Sequence, residues 1–317
     1  MSRVFTVAEA DDGIRLDRWV ARNLPGIPFT AVARWARTGR LRLDGGRARP
    51  GDRVQAGQQV LLPDEEPRQA PPPAREAPPL SPEEAEFARS LVIHRSEHAL
   101  VLDKPPGLAV QGGTKTATHV DRLLDALRFD ARERPRLVHR LDRDTSGVLL
   151  LARSARAAAF FGRCFAQRDT RKIYWALLAG VPELADIRVD LPIGKQPGTG
   201  GEKMHPDPKG QPAVSRIRVM DRAGNRVSFC EMRPLTGRTH QLRVHAAAIG
   251  HPIVGDGKYG GAAAFVTGGV SRKLHLHARR LVIDLPGGGK LDVTAEPPPH
   301  FRESLELLGL APDQGSA

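Results

Sequence analysis

His139-Arg140-Leu141-Asp142-Arg143-Asp144-Thr145-Ser146-Gly147 runs directly into Val148-Leu149-Leu150-Leu151-Ala152, and this join of an ionic stretch to a solid apolar one decides the fold. The apolar run is too short to span a bilayer and has the length of a strand buried on both faces. Asp142 and its neighbours then sit at the mouth of a core strand, where a rigid scaffold can aim a carboxylate into a cleft. Arg140 and Arg143 flank Asp142, so its ionised form has partners available. Such a loop by itself is more often a solvated turn than an active site, and three further segments decide between the two.

The first, Leu102-Asp103-Lys104-Pro105-Pro106-Gly107-Leu108-Ala109-Val110, reads as a strand entering a proline-stiffened turn, which would fix a loop beside a cleft. The second is Lys172-Ile173-Tyr174-Trp175-Ala176-Leu177-Leu178-Ala179-Gly180. Strand alternation puts Lys172, Tyr174 and Ala176 on one face, where a tyrosine can stack on a base and offer a hydroxyl. A half-buried core tyrosine is the plainer alternative. The third is Leu235-Thr236-Gly237-Arg238-Thr239-His240-Gln241-Leu242-Arg243-Val244-His245. Thr239 is the expected N-cap of a helix running to about Ile249 and closed by Gly250. Arg238 then precedes the helix and Arg243 lies just over one turn inside it, both able to face an anion or a carboxylate at the positive end of the helix dipole. A basic surface helix is the competing reading.

The bulk composition narrows the class. Over 317 residues, 48 Lys and Arg against 36 Asp and Glu give a formal charge of +12, which favours a polyanionic partner, nucleic acid ahead of an anionic membrane. Cys164 and Cys230 can build neither a disulfide framework nor a four-thiolate metal site. The amino terminus lacks an apolar core of signal-peptide length and no stretch is long enough to span a bilayer, so a cytoplasmic protein is the simplest expectation. His240, His245, His251, His275 and His277 lack zinc-helix spacing, and no glycine-rich phosphate loop or dinucleotide fingerprint occurs, so neither metal nor cofactor is expected. Ser146 lacks the preceding glycine of a nucleophile elbow.

Along the chain, residues 1–63 predict a small α/β unit. A strand at Val4–Val7 leads to a helix with Ile14, Leu16, Val20 and Leu24 on one face and Arg15, Arg18 and Arg22 on the other. A second helix at about Thr30–Arg37 follows, then Leu41-Arg42-Leu43-Asp44-Gly45, a hairpin signal. Residues 64–80 form a Pro-rich linker that ends at Ser81-Pro82-Glu83-Glu84, a capping box with proline at the first helical position. A second domain spans 81–310 and a tail 311–317. Its strands do not alternate with helices as a βαβ series, so an α+β domain with a mixed, mainly antiparallel sheet is predicted. Gly194–Pro212, rich in Gly, Pro and Lys, is expected to be a mobile loop near the ligand, with Lys195, Lys203 and Lys209 adding sequence-blind affinity for an anion.

The amino-terminal residues Gly13-x-Arg15-Leu16-Asp17, Arg40-Leu41-Arg42-Leu43-Asp44-Gly45 and Gly51-Asp52-Arg53-Val54 resemble the alpha-L type of RNA-binding domain. The remaining segments, in order, resemble the RluA family of RNA pseudouridine synthases. His139-Arg140-Leu141-Asp142-x-x-Thr145-Ser146-Gly147 matches the family's signature, Lys172-x-Tyr174-x-Ala176-x-x-x-Gly180 its tyrosine strand, and Gly237 to His245 its third motif, continued by Gly250-His251-Pro252-Ile253-x-Gly255-Asp256. The resemblance implies Asp142 as the catalytic carboxylate, Tyr174 stacking on the target base and Arg243 pairing with the aspartate. It also implies that Arg140 fills the place of a flipped nucleotide and that Leu242 packs against the base. Arg238 and Lys172 are further expected substrate-binding residues. Gly112-Gly113 and Arg143-Asp144 look more like the RluC type than the RluD type, which points to 23S ribosomal RNA. An RluD-type or transfer-RNA enzyme is the nearest alternative, a non-catalytic RNA-binding assembly factor the alternative of another class, and a histidine-dependent hydrolase a distant third. A monomer is the simplest expectation.

Overall fold

The computed structural model describes residues 2–64, 79–112, 118–167, 169–196 and 203–311. The Pro-rich stretch 65–78, Gly113, the segment 197–202 and the tail 312–317 lie outside the described residues. Contacts divide the chain into two units, Met1–Pro79 and Leu80–Ala317.

The first unit contains β1 (Ser2–Thr6), helices α1 (Leu16–Asn23) and α2 (Phe29–Arg37), then β2 (Arg42–Leu43), β3 (Gly46–Arg47) and β4 (Gln59–Pro63). The strands form one sheet in the order β1-β4-β2-β3. Asp44 and Gly45 turn β2 into β3 with φ of 47° and 77°, the two positive values that a tight two-residue hairpin requires. Leu16, Trp19 and Val20 of α1 and Val32 and Trp35 of α2 close on Val60 and Leu62 of the sheet. Trp19 joins the apolar face expected of the first helix, whose arginines face outward.

The second unit opens with α3 (Pro82–Ser90), where Ser81 and Glu84 satisfy each other's backbone N–H groups as a capping box. Then follow β5 (Val92–Arg95), β6 (Ala99–Lys104), α4 (Val120–Leu123), β7 (Arg136–Leu137), β8 (Ser146–Ala152), α5 (Ala155–Gln167) and β9 (Arg171–Ala179). Next come β10 (Asp186–Asp190), β11 (Ile193–Lys195), β12 (Met204–Pro206), β13 (Val214–Ala223) and β14 (Val227–Pro234). The chain ends with α6 (Gln241–Ala248), α7 (Gly257–Gly260), β15 (Leu276–Asp284), β16 (Lys290–Thr294) and α8 (Pro299–Leu308).

Ten of these strands make one sheet, ordered β10-β13-β14-β9-β15-β8-β6-β5, with β16 also on β15 and β7 also on β8. Among the described strands the pairs are antiparallel except β8 with β15, which run parallel through Ser146 opposite His277 and Gly147 opposite Ala278. Gly194–Pro212 departs from the loop expected of it. Ile193–Lys195 and Met204–Pro206 pair as two antiparallel strands, and the segment between them, 197–202, lies outside the described residues.

β8 explains why the ionic stretch and the apolar run belong together. Leu149 and Leu151 pack with Leu123, Leu124 and Leu127 on one side, while Val148 and Leu150 pack with Phe161 of α5 and with Leu281 and Ile283 of β15 on the other. Each such side chain contributes about 1.5–3 kcal/mol by leaving water. Gly147, at the entrance of β8, has φ of 103°, and a Cβ there would meet the Ala278 carbonyl on β15. Gly147→Ala is therefore expected to cost about 2–6 kcal/mol, combining a strained φ with an overpacked strand contact. Denaturant unfolding of the two proteins measures it.

Candidate active site

The loop before β8 is held from two sides. His139 accepts the Leu150 backbone N–H at Nε2, 2.9 Å away, and its ring lies against Phe165 with centroids 4.6 Å apart. Burial, with a small addition from Lys172, pushes His139 down to about 3, so it is neutral and its role in this fold is to tie the loop to its own strand. On the other side stands Lys104, fully buried at the end of β6. Its Nζ donates to the carbonyls of Pro105 at 2.8 Å, Leu108 at 2.9 Å and Arg143 at 2.9 Å. Three acceptors match the three protons of an ammonium, and they fasten the Pro105–Leu108 turn to the aspartate loop. Gly107 N–H to Arg143 O, 2.9 Å, and Arg143 Nε to Gly107 O, 3.0 Å, reinforce that junction.

Burial pushes Lys104 down to about 7, against the favourable charges of Asp144, Asp142 and Asp103. An unfolded lysine keeps its proton to about 10.4. Between these values the unfolded chain binds more protons, so folding stability rises with pH across that window. The difference in Tm between the wild type and Lys104→Met is expected to shift in favour of the wild type from pH 7 to about 10.4. A difference that does not change with pH would mean that Lys104 keeps its proton throughout.

Asp142 opens onto a cleft of about 290 Å³. Its walls come from the 139–145 loop, from β9, from residues 234–243 and from Leu276 of β15, and they include all of Arg140, Asp142, Lys172, Tyr174, Arg238, Leu242 and Arg243. Asp142 and Tyr174, 32 positions apart, and Asp142 and Arg243, 101 apart, thus converge on one cavity. Tyr174 reaches it half-buried from the face of β9 shared with Lys172, as alternation predicts. Burial first, and Asp142 second, push the Tyr174 phenol upward, so it stays protonated over the neutral range. Burial also lowers Lys172. The wall at 234–243 is stiffened by a buried polar network in which Thr236 Oγ1 donates to Gln241 Oε1 at 2.6 Å. Gln241 Nε2 in turn donates to Val214 O and Ser215 Oγ, both at 2.9 Å.

Two expectations about the third motif are corrected. The helix begins at Gln241 with His240, not Thr239, at the N-cap, in a left-handed conformation with φ of 54°. The Gln241 side chain accepts the Arg238 N–H at 3.1 Å, ahead of the helix, and no side chain caps the first turn of α6. Arg243 therefore falls in the first turn. Its main partner is Asp256, to which Nε and Nη2 donate at 2.7 Å each, while Nη1 stands 3.6 Å from Asp142. The same Asp256 carboxylate caps α7, accepting the Tyr259 N–H at 3.3 Å.

Behind Asp142 a second cavity, about 560 Å³, shares Asp142, His240 and Arg243 with the first and is flanked by Arg143, Lys258, Arg272 and Lys273. Sequence reasoning missed Asp256, Tyr259 and the buried state of Lys104. Asp256 stood at the end of the quoted Gly250–Asp256 run and Tyr259 is the second of two tyrosines, the available signals for each.

A mixed ten-stranded sheet thus presents an aspartate loop to a tyrosine and an arginine. A family model described as RNA pseudouridylate synthase matches residues 98–248. Ribosomal large subunit pseudouridine synthase C of Salmonella typhi is 32% identical, covering 96% of each chain, and its namesake in Escherichia coli strain K12 is 32% identical, covering 91% of each. Mitochondrial RNA pseudouridine synthase 4 of Arabidopsis thaliana is 35% identical over 86% of this chain and 71% of its own. The solved structure of human RNA pseudouridylate synthase domain containing 4 superposes with a TM-score of 0.63 and 28% identity, covering 73% of this chain and 99% of that one. The chain belongs to the RNA pseudouridylate synthase family, the isomerases that convert uridine to pseudouridine in RNA. Among the described residues no helix is long and apolar enough to cross a membrane.

Proposed function

We propose that this enzyme isomerises chosen uridines of large-subunit (23S) ribosomal RNA in the cytoplasm, acting as a monomer, with Asp142 as its catalytic carboxylate. The observation that carries the roles is the convergence of Asp142, Tyr174, Arg243, Arg140, Leu242, Arg238 and Lys172 on one cleft. The ribosomal target rests on the names of the relatives that match nearly end to end.

In the reaction the bond from C1′ to N1 breaks, the base turns, and C1′ joins C5, while the proton of C5 is lost and N1 gains one. Asp142 acts at the sugar as a carboxylate, with the Arg243 Nη1 3.6 Å from its Oδ2. The uridine leaves its stack at a cost of about a few kcal/mol. Stacking on Tyr174 offsets about 1–3 kcal/mol of that, and Arg140 at the rim fills the gap in the RNA. Leu242 packs on the base, and Arg238 and Lys172 bind polar edges or phosphate. The four cations flanking the second cavity and the exposed arginines of the first unit, among them Arg18, Arg37 and Arg42, suit a phosphate backbone. In this reading the first unit is an alpha-L-type RNA-binding domain joined by residues 64–80 to the catalytic domain at 81–310.

A pseudouridine map of large-subunit ribosomal RNA from cells lacking the gene, complemented with wild type or Asp142→Asn, tests the proposal. Sites lost in the deletion and restored by the wild type alone are the expected result. Unchanged ribosomal sites with lost transfer-RNA sites would overturn the target, and a wholly unchanged map would leave a binding-only protein.

A further inference from the structure

His240 has no part in the roles above, yet the fold goes to some length to place it. It is one of three non-glycine residues with positive φ among the described residues, a conformation that costs an L residue about 1–2 kcal/mol. That backbone turns its ring, with 13% of the side chain exposed, into the partition between the two cavities. There Nε2 stands 3.7 Å from Oδ1 of Asp142, while Arg243 approaches the other oxygen, Oδ2.

The opposite ring nitrogen is engaged as well. His240 Nδ1 lies 2.6 Å from the Tyr259 hydroxyl, which also accepts the Met204 backbone N–H at 3.1 Å. A phenol has one proton to give. With Met204 on a lone pair of the oxygen, the O–H is free to point at Nδ1. Tyr259 is itself fixed by the Arg243 guanidinium, 5.1 Å from its ring centroid. An imidazole that accepts at Nδ1 carries its proton on Nε2, the atom that faces Asp142. Burial lowers His240 against the pull of Asp142, which keeps the ring neutral and the choice of tautomer meaningful.

We propose that His240 is a positioning residue for this reaction, its tautomer fixed by Tyr259 so that an Nε2–H is presented to Oδ1 of Asp142. The carboxylate then faces His240 at one oxygen, 3.7 Å away, and Arg243 at the other, 3.6 Å away, and the two together set the angle at which it meets the sugar. His240 closes from 3.7 Å to donate a hydrogen bond as the substrate enters, and it loses no proton. The inference rests on Asp142 being the catalytic carboxylate.

Two variants and one spectrum test it. Tyr259→Phe keeps the ring against Arg243 and removes the hydroxyl that selects the tautomer. His240→Asn keeps a residue that tolerates the left-handed conformation and removes the imidazole. In single-turnover assays on the RNA substrate, each is expected to lower the rate about 10- to 100-fold, the scale of one hydrogen bond to a charged group, with the RNA Kd within about twofold. Ring ¹⁵N shifts of His240 are expected to show Nε2 protonated in the wild type and a tautomer mixture in Tyr259→Phe. A proton on Nδ1 in the wild type, or undiminished turnover in folded Tyr259→Phe, would overturn the inference. Asp142→Asn in the same assay separates the two levels. If it is inactive while Tyr259→Phe is normal, the inference on His240 alone fails. If it is active, the assignment of Asp142 fails.

Discussion

Asp142→Asn is expected to lower turnover by about 10⁴-fold or more, the scale on which losing a nucleophile acts, while RNA affinity and thermal stability stay near those of the wild type. The amide matches the carboxylate in shape, so the turn that closes from Thr145 N–H to Asp142 O, 3.2 Å, is retained. Arg243 keeps its doubly bonded partner Asp256, so the lost charge leaves no buried cation alone. An amide, however, is a poor nucleophile and a poor base. Single-turnover conversion of a uridine-labelled ribosomal fragment, with binding measured separately, gives both numbers. Conversion near the wild-type rate would remove Asp142 from the chemistry.

Asp256→Asn should behave in the opposite way, with a large loss of stability. Arg243 and Asp256 are paired with 9% and 0% of their side chains exposed, so removing one charge strands the other in the interior. Breaking such a pair costs about 3–5 kcal/mol. Arg243, released, is drawn from 3.6 Å toward Asp142, and a tight ion pair there would blunt the carboxylate. Activity is thus expected to fall even in molecules that remain folded. A double variant, Arg243→Met with Asp256→Leu, tells the two effects apart. Replacing both charges by apolar groups recovers much of the stability, as buried pairs elsewhere do, and should leave activity low. Chemical unfolding and turnover measured on the three proteins make the comparison.

The two buried-strand faces of β8 could be read directly, because seven residues without a charge following a charged loop leave few other structures open. The start of α3 was equally plain, since Ser81 and Glu84 lie at the spacing of a capping box. The start of α6 was misplaced by one residue. Thr239 is a better cap by residue type, but the boundary falls one residue later at His240, whose left-handed backbone sets the start of the helix. The loop expected at Gly194–Pro212 contains a pair of short strands, and the Tyr259 hydroxyl, from far along the chain, accepts the Met204 N–H of one of them. The site residues that were legible belong to contiguous motifs. Asp256 was not, because its partnership with Arg243 crosses a turn that no spacing rule orders, and Lys104 was not, because its carbonyl partners come from two separate segments.

The parallel seam between β8 and β15 ties the timing of activity to the synthesis of the chain. Ser146 Oγ and His277 Nδ1 meet across it at 2.9 Å although 131 positions separate them, so the seam can close only after β15 exists. Asp142 lies on one side of it, and Tyr174, Arg243 and Leu276 come from elements on the other. Contacts that distant form late, after the loop entropy between them has been overcome. A chain still emerging from its own ribosome, up to residue 270 or so, would already carry the arginine-rich first unit and the aspartate but no assembled cleft. Such a chain has the carboxylate without the walls that face it, and the cleft is complete only once the last strands arrive.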